Sequence, residues 1–529
     1  MTIATNTKKG WFLWFLLTSI FSVMSVLKYH NLNSTYFDLG VFLNNFYMIS
    51  LGQWQRIFLS HVQPLNFFFS LPYQISPSLF PAFLLVTQSS LLALPVIGLY
   101  KHYGSIPALA FSLYFPLWYI ALFDFHIDHL AIPLLFGFFF LERQGKIALA
   151  ITLAVLLALV KEIFALQVAF CGLYLILSKK RWAAGMFLSA FGIIYFYVAT
   201  HYFLRYFSMT PLMDPLSSIQ SLQTPFSLIS KNEVQTIIFI ASNLHHILWE
   251  TLTNPDKIKY LIYIFGALGF ISFLKPRSLL VLFPILAINL FFPNKLYYGH
   301  TNHYTAGLIA PMIIAFAEGL PTAQQYWKKL KLSAQSFTPI TLLCLFSLHI
   351  LISPSPIGRH FYLNKSKLNY SSTYKPEERN EWIKSNIIKF IPSDPNIILS
   401  VQNSINLGYL VQRKNIFSFP DGVSNPATVV DSSMKTWGGF LEYVRSGELE
   451  EILHDKKLAD YVILDLKKPW FISKNGYLLS CHWVEGKCRN AKNFEEKFLR
   501  HIDVAMKVFE TVYNNDQFII LKRSSSNHF

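Results

Sequence analysis

The feature that most constrains this chain is a succession of apolar stretches across its first 353 residues, at 11–27, 79–99, 104–122, 127–141, 147–160, 163–177, 183–206, 258–274, 278–292, 304–320 and 337–353. A bilayer core of about 30 Å takes about 20 helical residues at 1.5 Å each, and inside it the backbone must satisfy its own hydrogen bonds. The stretches therefore predict a polytopic helix bundle of about eleven spans, mainly α. Several are short, notably 127–141 and 147–160, and suit broken helices that line a cavity. Composition agrees: of 529 residues 53% are hydrophobic and only 14% charged, which excludes a cytosolic globule, a secreted enzyme and a disordered scaffold. Lys8 and Lys9 ahead of the first apolar run resemble a signal peptide, but no small-residue cleavage site follows, so the run is read as a retained span.

The net charge of +16 does not call for nucleic acid, because most cations sit in short loops between apolar runs. With the N-terminus inside, the cytoplasmic connections collect thirteen Lys and Arg, whereas the short opposite ones hold only Lys161 and Lys295. This orientation predicts a multi-pass inner-membrane protein with a cytoplasmic N-terminus. It places two long loops, 28–78 and 207–257, and everything after 353 on the extracytoplasmic side. Residues 1–353 form the membrane domain and 354–529 a mixed α/β domain. In that tail Asn396–Val401, Asn415–Phe419, Tyr461–Leu466 and Phe518–Lys522 read as buried strands, 493–508 as a helix, and 508–522 as a hairpin around Asn514-Asn515-Asp516. Cys481 and Cys488 lie close together there and are candidates for a disulfide on an oxidising face.

Ionisable groups at membrane depth cost several kcal/mol, so they mark functional sites or pair with one another. Here they gather on the predicted outer side: Asp38, Arg56 and His61 in the first loop; Asp124, His126, Asp128 and His129 in one turn; Lys161-Glu162 in another; His300, His303 and Tyr304 in a fourth. Each has a simpler reading. Asp38 could cap an interfacial helix, the 124–129 group could be a solvated turn, Lys161-Glu162 an ion pair, and the His-Tyr group an aromatic belt. Functionally, Asp38 is a candidate general base and Lys161 a cation for a phosphate. Arg56, His61, Asp124, His126, Glu162, His300, His303 and Tyr304 are candidates for binding an anionic or sugar ligand. No metal is required by this reading. Asp124, His126 and Asp128, whose side chains share a face if the turn is extended, are the candidates should a divalent cation bind. The tail carries no nucleophile elbow, P-loop or GxGxxG.

The order Tyr36-Phe37-Asp38-Leu39-Gly40, Ser60-His61, Asp124-Phe125-His126, Val160-Lys161-Glu162 and His300 to Tyr304 resembles the bacterial and archaeal membrane proteins grouped as domain of unknown function 2079. That group in turn resembles the GT-C glycosyltransferases. The resemblance implies an extracytoplasmic site, a catalytic acid in the first loop, matched by Asp38, and a sugar donor linked to a polyprenyl phosphate, acting in a setting of membrane lipids. The acceptor, a glycan, lipid or protein, stays open, and nucleic acid is not expected. The chain departs from the GT-C pattern in having no Asp or Glu over 39–78, where His61 stands instead. Asp124 or Glu162 is then the candidate second acid. A transporter or flippase of lipid-linked sugars, or a non-catalytic receptor or assembly factor, would fill the same membrane with other chemistry.

Overall fold

The computed structural model describes residues 2–58, 61–204, 241–291, 297–299, 303–363, 371–402, 404–405, 408–419, 422–423, 459–467, 483–484, 487–488, 502–503 and 505–524. The fold is mainly helical with a small sheet near the C-terminus. Among the described residues six helical segments are long and apolar enough to cross a bilayer: Thr7–His30, Phe80–Tyr103, Glu162–Lys179, Trp182–Phe203, His303–Lys329 and Gln335–Ile352. The remaining apolar stretches form shorter helices, Ser105–Leu113, Phe115–Ala121, Ala131–Arg143, Ile147–Ala158, Pro255–Gly266 and Leu279–Phe291.

The interruptions have local causes. Pro95 lacks the N–H that would continue the ladder, so the Phe80–Tyr103 segment is built from two helices meeting at Leu94. The stretch expected at 104–122 divides at Tyr114, whose backbone is extended ahead of Pro116 in the following first turn. The stretch expected at 127–141 opens with a 3-10 turn, Ile127–Leu130, before its helix begins. Helices Glu162–Lys179 and Trp182–Val198 pack as a hairpin so close that a Cβ on Gly192 would lie 2.4 Å from the Ala165 carbonyl oxygen. Small residues permit this approach, and tight packing is what holds helices together where no hydrophobic difference from lipid drives them.

The helix within His303–Lys329 is the hub: 78% of its apolar window is buried, against 17% for Gln335–Ile352 at the periphery. The outer helices leave Trp11, Phe12, Phe15, Phe187, Ile193 and Ile194 exposed, a surface that suits hydrocarbon and would be a liability in water.

Within the tail, β1 (Leu399–Val401) lies between β2 (Ile416–Ser418) and β3 (Tyr461–Asp465), both parallel to it. Two further pairs of residues, Trp483–Val484 (β4) and Lys487–Cys488 (β5), form a separate ladder. The main sheet is completed by β6 (Phe509–Asn515) and β7 (Phe518–Arg523), in the order β2-β1-β3-β7-β6. The expected hairpin is present, and Asp516 and Gln517 turn it with φ of 49° and 63°, the positive values a two-residue turn matched to strand twist requires. Residues 493–500 of the expected helix and Cys481 of the candidate disulfide lie outside the described residues, as do 205–240 of the second long loop.

Sheet and bundle meet on the first loop. The helix Val41–Ser50 offers Asn44, whose amide donates to the carbonyls of Val411 and Arg413, each at 2.8 Å. The Tyr36 hydroxyl donates to the Ile416 carbonyl at 3.3 Å, and Asn380 donates to the Asn31 carbonyl at 2.8 Å. The tail is thereby fixed directly against the segment that carries Asp38.

Candidate functional site

The site is assembled from four distant pieces of chain at one end of the bundle. Residues Tyr36–Gly40 wind as a π turn between an extended Thr35 and the helix Val41–Ser50. Gly40 permits that winding, because a Cβ there would fall 2.6 Å from the Tyr36 ring. The turn leaves Asp38 partly exposed. The Thr35 hydroxyl lies 3.3 Å from one Asp38 oxygen and 3.4 Å from one Asp124 oxygen. A hydroxyl has one proton to donate, so it serves one carboxylate at a time.

The two carboxylates are otherwise unequally supplied. Asp124 is buried, accepts from the Thr35 N–H at 3.0 Å and pairs with the Lys28 ammonium at 3.3 Å. Lys28, 2% exposed, also donates to the Leu122 carbonyl at 3.1 Å and to that of Phe123. Among the described residues Asp38 accepts only from the Thr35 hydroxyl. Removal from water, and secondarily the charge of Asp124, push its carboxyl up to about 7, against the weaker pull of Lys28 and Thr35.

Gln88, a polar residue inside an apolar helix, joins this pair to the next group. Its amide donates to the Asp124 carbonyl and its oxygen accepts the His126 N–H, both at 3.1 Å. Beyond it, Asp128 is the centre of a buried cluster. One of its oxygens is 3.4 Å from the Lys161 ammonium and 3.9 Å from His303 Nε2, and the other is 3.3 Å from His126 Nδ1. The rings of His126 and His303 stack at 3.8 Å. His129 is 1% exposed, 6.0 Å from the His126 ring, and neither of its nitrogens has a hydrogen-bond partner among the described residues. Tyr304 joins the group through His303, the two rings 4.2 Å apart.

The last piece is a clamp. Glu162, first residue of its helix, takes the His61 ring at 2.8 Å on one oxygen and the Val62 N–H at 2.9 Å on the other. It ties the first loop to the turn that presents Lys161.

Of the residues singled out in the sequence, Asp38, His61, Asp124, His126, Lys161, Glu162, His303 and Tyr304 therefore come together. Arg56 goes elsewhere: its guanidinium meets the Lys414 carbonyl of the tail at 3.4 Å and faces Tyr36. His300 lies outside the described residues. The candidate metal trio is regrouped: Asp124 is engaged by Lys28, and its place beside His126 and Asp128 is taken by His303. Sequence reasoning passed over Lys28, Thr35 and Gln88. Lys28 had a signal, being a cation at the end of the first apolar run opposite Lys8 and Lys9, and Gln88 had another, as an amide within an apolar run.

Comparison with curated proteins and with solved structures finds no match. The family model described as "Predicted membrane protein (DUF2079)" matches residues 28–405, a range that holds every residue of this site and runs into the first strand of the tail. On that match, the chain belongs to the DUF2079 family of predicted membrane proteins.

Proposed function

We propose that this protein is an integral-membrane glycosyltransferase of GT-C type, with about eleven passes, a cytoplasmic N-terminus, and site and tail on the extracytoplasmic face. The donor is a sugar on a polyprenyl phosphate. An acceptor hydroxyl attacks the anomeric carbon as its proton passes to Asp38, the new C–O bond forms with inversion, and the bond to phosphate breaks with its electron pair leaving on the phosphate.

The observation that carries this reading is the inequality between the two carboxylates. Asp124 has a cation and two donors, whereas Asp38 has one shared hydroxyl and a carboxyl near 7. A base whose protonation midpoint lies near working pH is the one suited to take a proton in the transition state. Lys161 gives Asp128 one of its three N–H donors, and the others are available to a phosphate oxygen. Glu162 serves as positioning residue through His61 and Val62. The transfer assay on purified protein with lipid-linked sugar donors tests the assignment. Asp38→Asn is expected to lower turnover by about 10²–10⁴-fold, the usual contribution of a general base, while the protein stays folded; unchanged turnover would remove Asp38 from the chemistry.

A further inference from the structure

We propose that His126, Asp128 and His303 form a site for one divalent transition-metal ion of the zinc class. One donor atom from each lies within 4.8 Å of the others, the one such grouping among the described residues. All three side chains are buried, at 9%, 4% and 7% exposure, and they are brought together from two stretches far apart in the chain.

Two features beyond proximity point to a cation. First, His126 Nδ1 accepts the Asp128 N–H only at a long 3.3 Å, which puts the ring proton on Nε2 and leaves an Nδ1 lone pair that a metal could take over, yet it stands 3.3 Å from an Asp128 oxygen. That oxygen has no hydrogen-bond donor among the described residues. Two electron-rich atoms facing each other out of water repel, and a cation bound to both turns the contact into an attraction. Second, His303 Nε2 stands 3.9 Å from the Asp128 carboxylate, and its buried Nδ1 has no hydrogen-bond partner among the described residues, so nothing there prevents the ring proton from sitting on Nδ1 and leaving the Nε2 lone pair for a metal.

The spacing suits the chemistry. Ligands about 2.0–2.2 Å from a tetrahedral ion lie about 3.4 Å apart, close to the 3.3 Å and 3.9 Å separations around Asp128. Two imidazoles and one carboxylate favour zinc and its neighbours over calcium or magnesium, which prefer six or more oxygens. Three protein ligands also leave a fourth position open. Lys161, 3.4 Å from the Asp128 oxygen that also faces His303, competes for the carboxylate and weakens the site without filling it.

Metal binding is read without any sugar donor, so this proposal and the transferase reading fail independently. The full-length protein in detergent, stripped with a chelator and reloaded with Zn²⁺, is expected to hold about one ion per chain, and Co²⁺ in its place to give the visible absorption of a four-coordinate centre. His303→Ala and Asp128→Asn should each weaken binding at least tenfold, with His245→Ala, an exposed histidine, unchanged. Because Asp128→Asn also deprives Lys161 of its partner, Lys161→Met is the second variant: relieved of a competing charge, it should bind Zn²⁺ more tightly. A wild type that holds no ion after reloading, or equal binding by wild type and His303→Ala, would overturn the proposal, as would loss of binding in Lys161→Met.

Discussion

At the scale of single residues, the site works through unequal solvation of like groups. Asp38 and Asp124 share one hydroxyl, and the lysine at position 28 pairs with Asp124 at 3.3 Å. Activity should therefore rise with pH through about 7, as Asp38 loses its proton. Stability should move the other way. The folded carboxyl holds its proton above the ordinary 3.8, so the unfolded chain releases protons first and stability falls between about 4 and about 7. Asp38→Asn should abolish that slope, which chemical denaturation across pH reads directly. Lys28→Met should be far more harmful, because it strands Asp124 in a buried place; breaking such a pair costs about 3–5 kcal/mol, seen as a lowered Tm.

Residue types and spacing made part of this legible. Asp124, His126 and Asp128 fall within five residues, so their proximity was written in the chain, as was the weight placed on Asp38 and Lys161. The pairing of His303 with His126 was not, since nothing local says that a residue so far along the chain will stack on that ring at 3.8 Å. Arg56 reads in the sequence as a candidate for an anionic or sugar ligand because nothing local shows that the Lys414 carbonyl, 358 residues away in the tail, takes its guanidinium.

At the scale of elements, the site depends on turns held open by close packing. Gly40 lets the π turn wind against Tyr36. Gly40→Ala should push that ring off the Ile416 carbonyl and reduce transfer without touching any ionisable group, a change that the transfer assay and the Tm of the same sample separate. Gly192→Leu should drive apart the helices that follow Lys161, at a cost of about 1–3 kcal/mol for overpacking, read as a lower melting temperature in detergent. Hydropathy located these elements well because burial in lipid is set by composition over about 20 residues. It could not separate one long helix from two short ones. That depends on single positions such as Tyr114 and Pro95, where the backbone leaves the helix or lacks a donor.

At the scale of the whole molecule, ion pairs mark both ends of the bundle. One end holds the site; the other holds Glu142, 3% exposed, paired with Lys179 at 3.0 Å and near Arg181 at 3.8 Å. If loop cations fix the orientation, a cysteine placed at Asp394 in the tail should react with an impermeant maleimide on intact cells, and one at Lys180 should be protected until the membrane is opened. The reverse pattern would invert the topology. The tail strands were readable because each is a short apolar run between turn residues, while their docking on Asn44 was not, being a contact between polar side chain and backbone.

The most direct measurement is a cryo-EM map of the full-length protein in a lipid nanodisc with a polyprenyl phosphate bound. The account predicts the phosphate within hydrogen-bond reach of Lys161, with open space for an acceptor hydroxyl beside Asp38. Phosphate density at the Glu142, Lys179 and Arg181 end, or on the tail away from both residues, would contradict it.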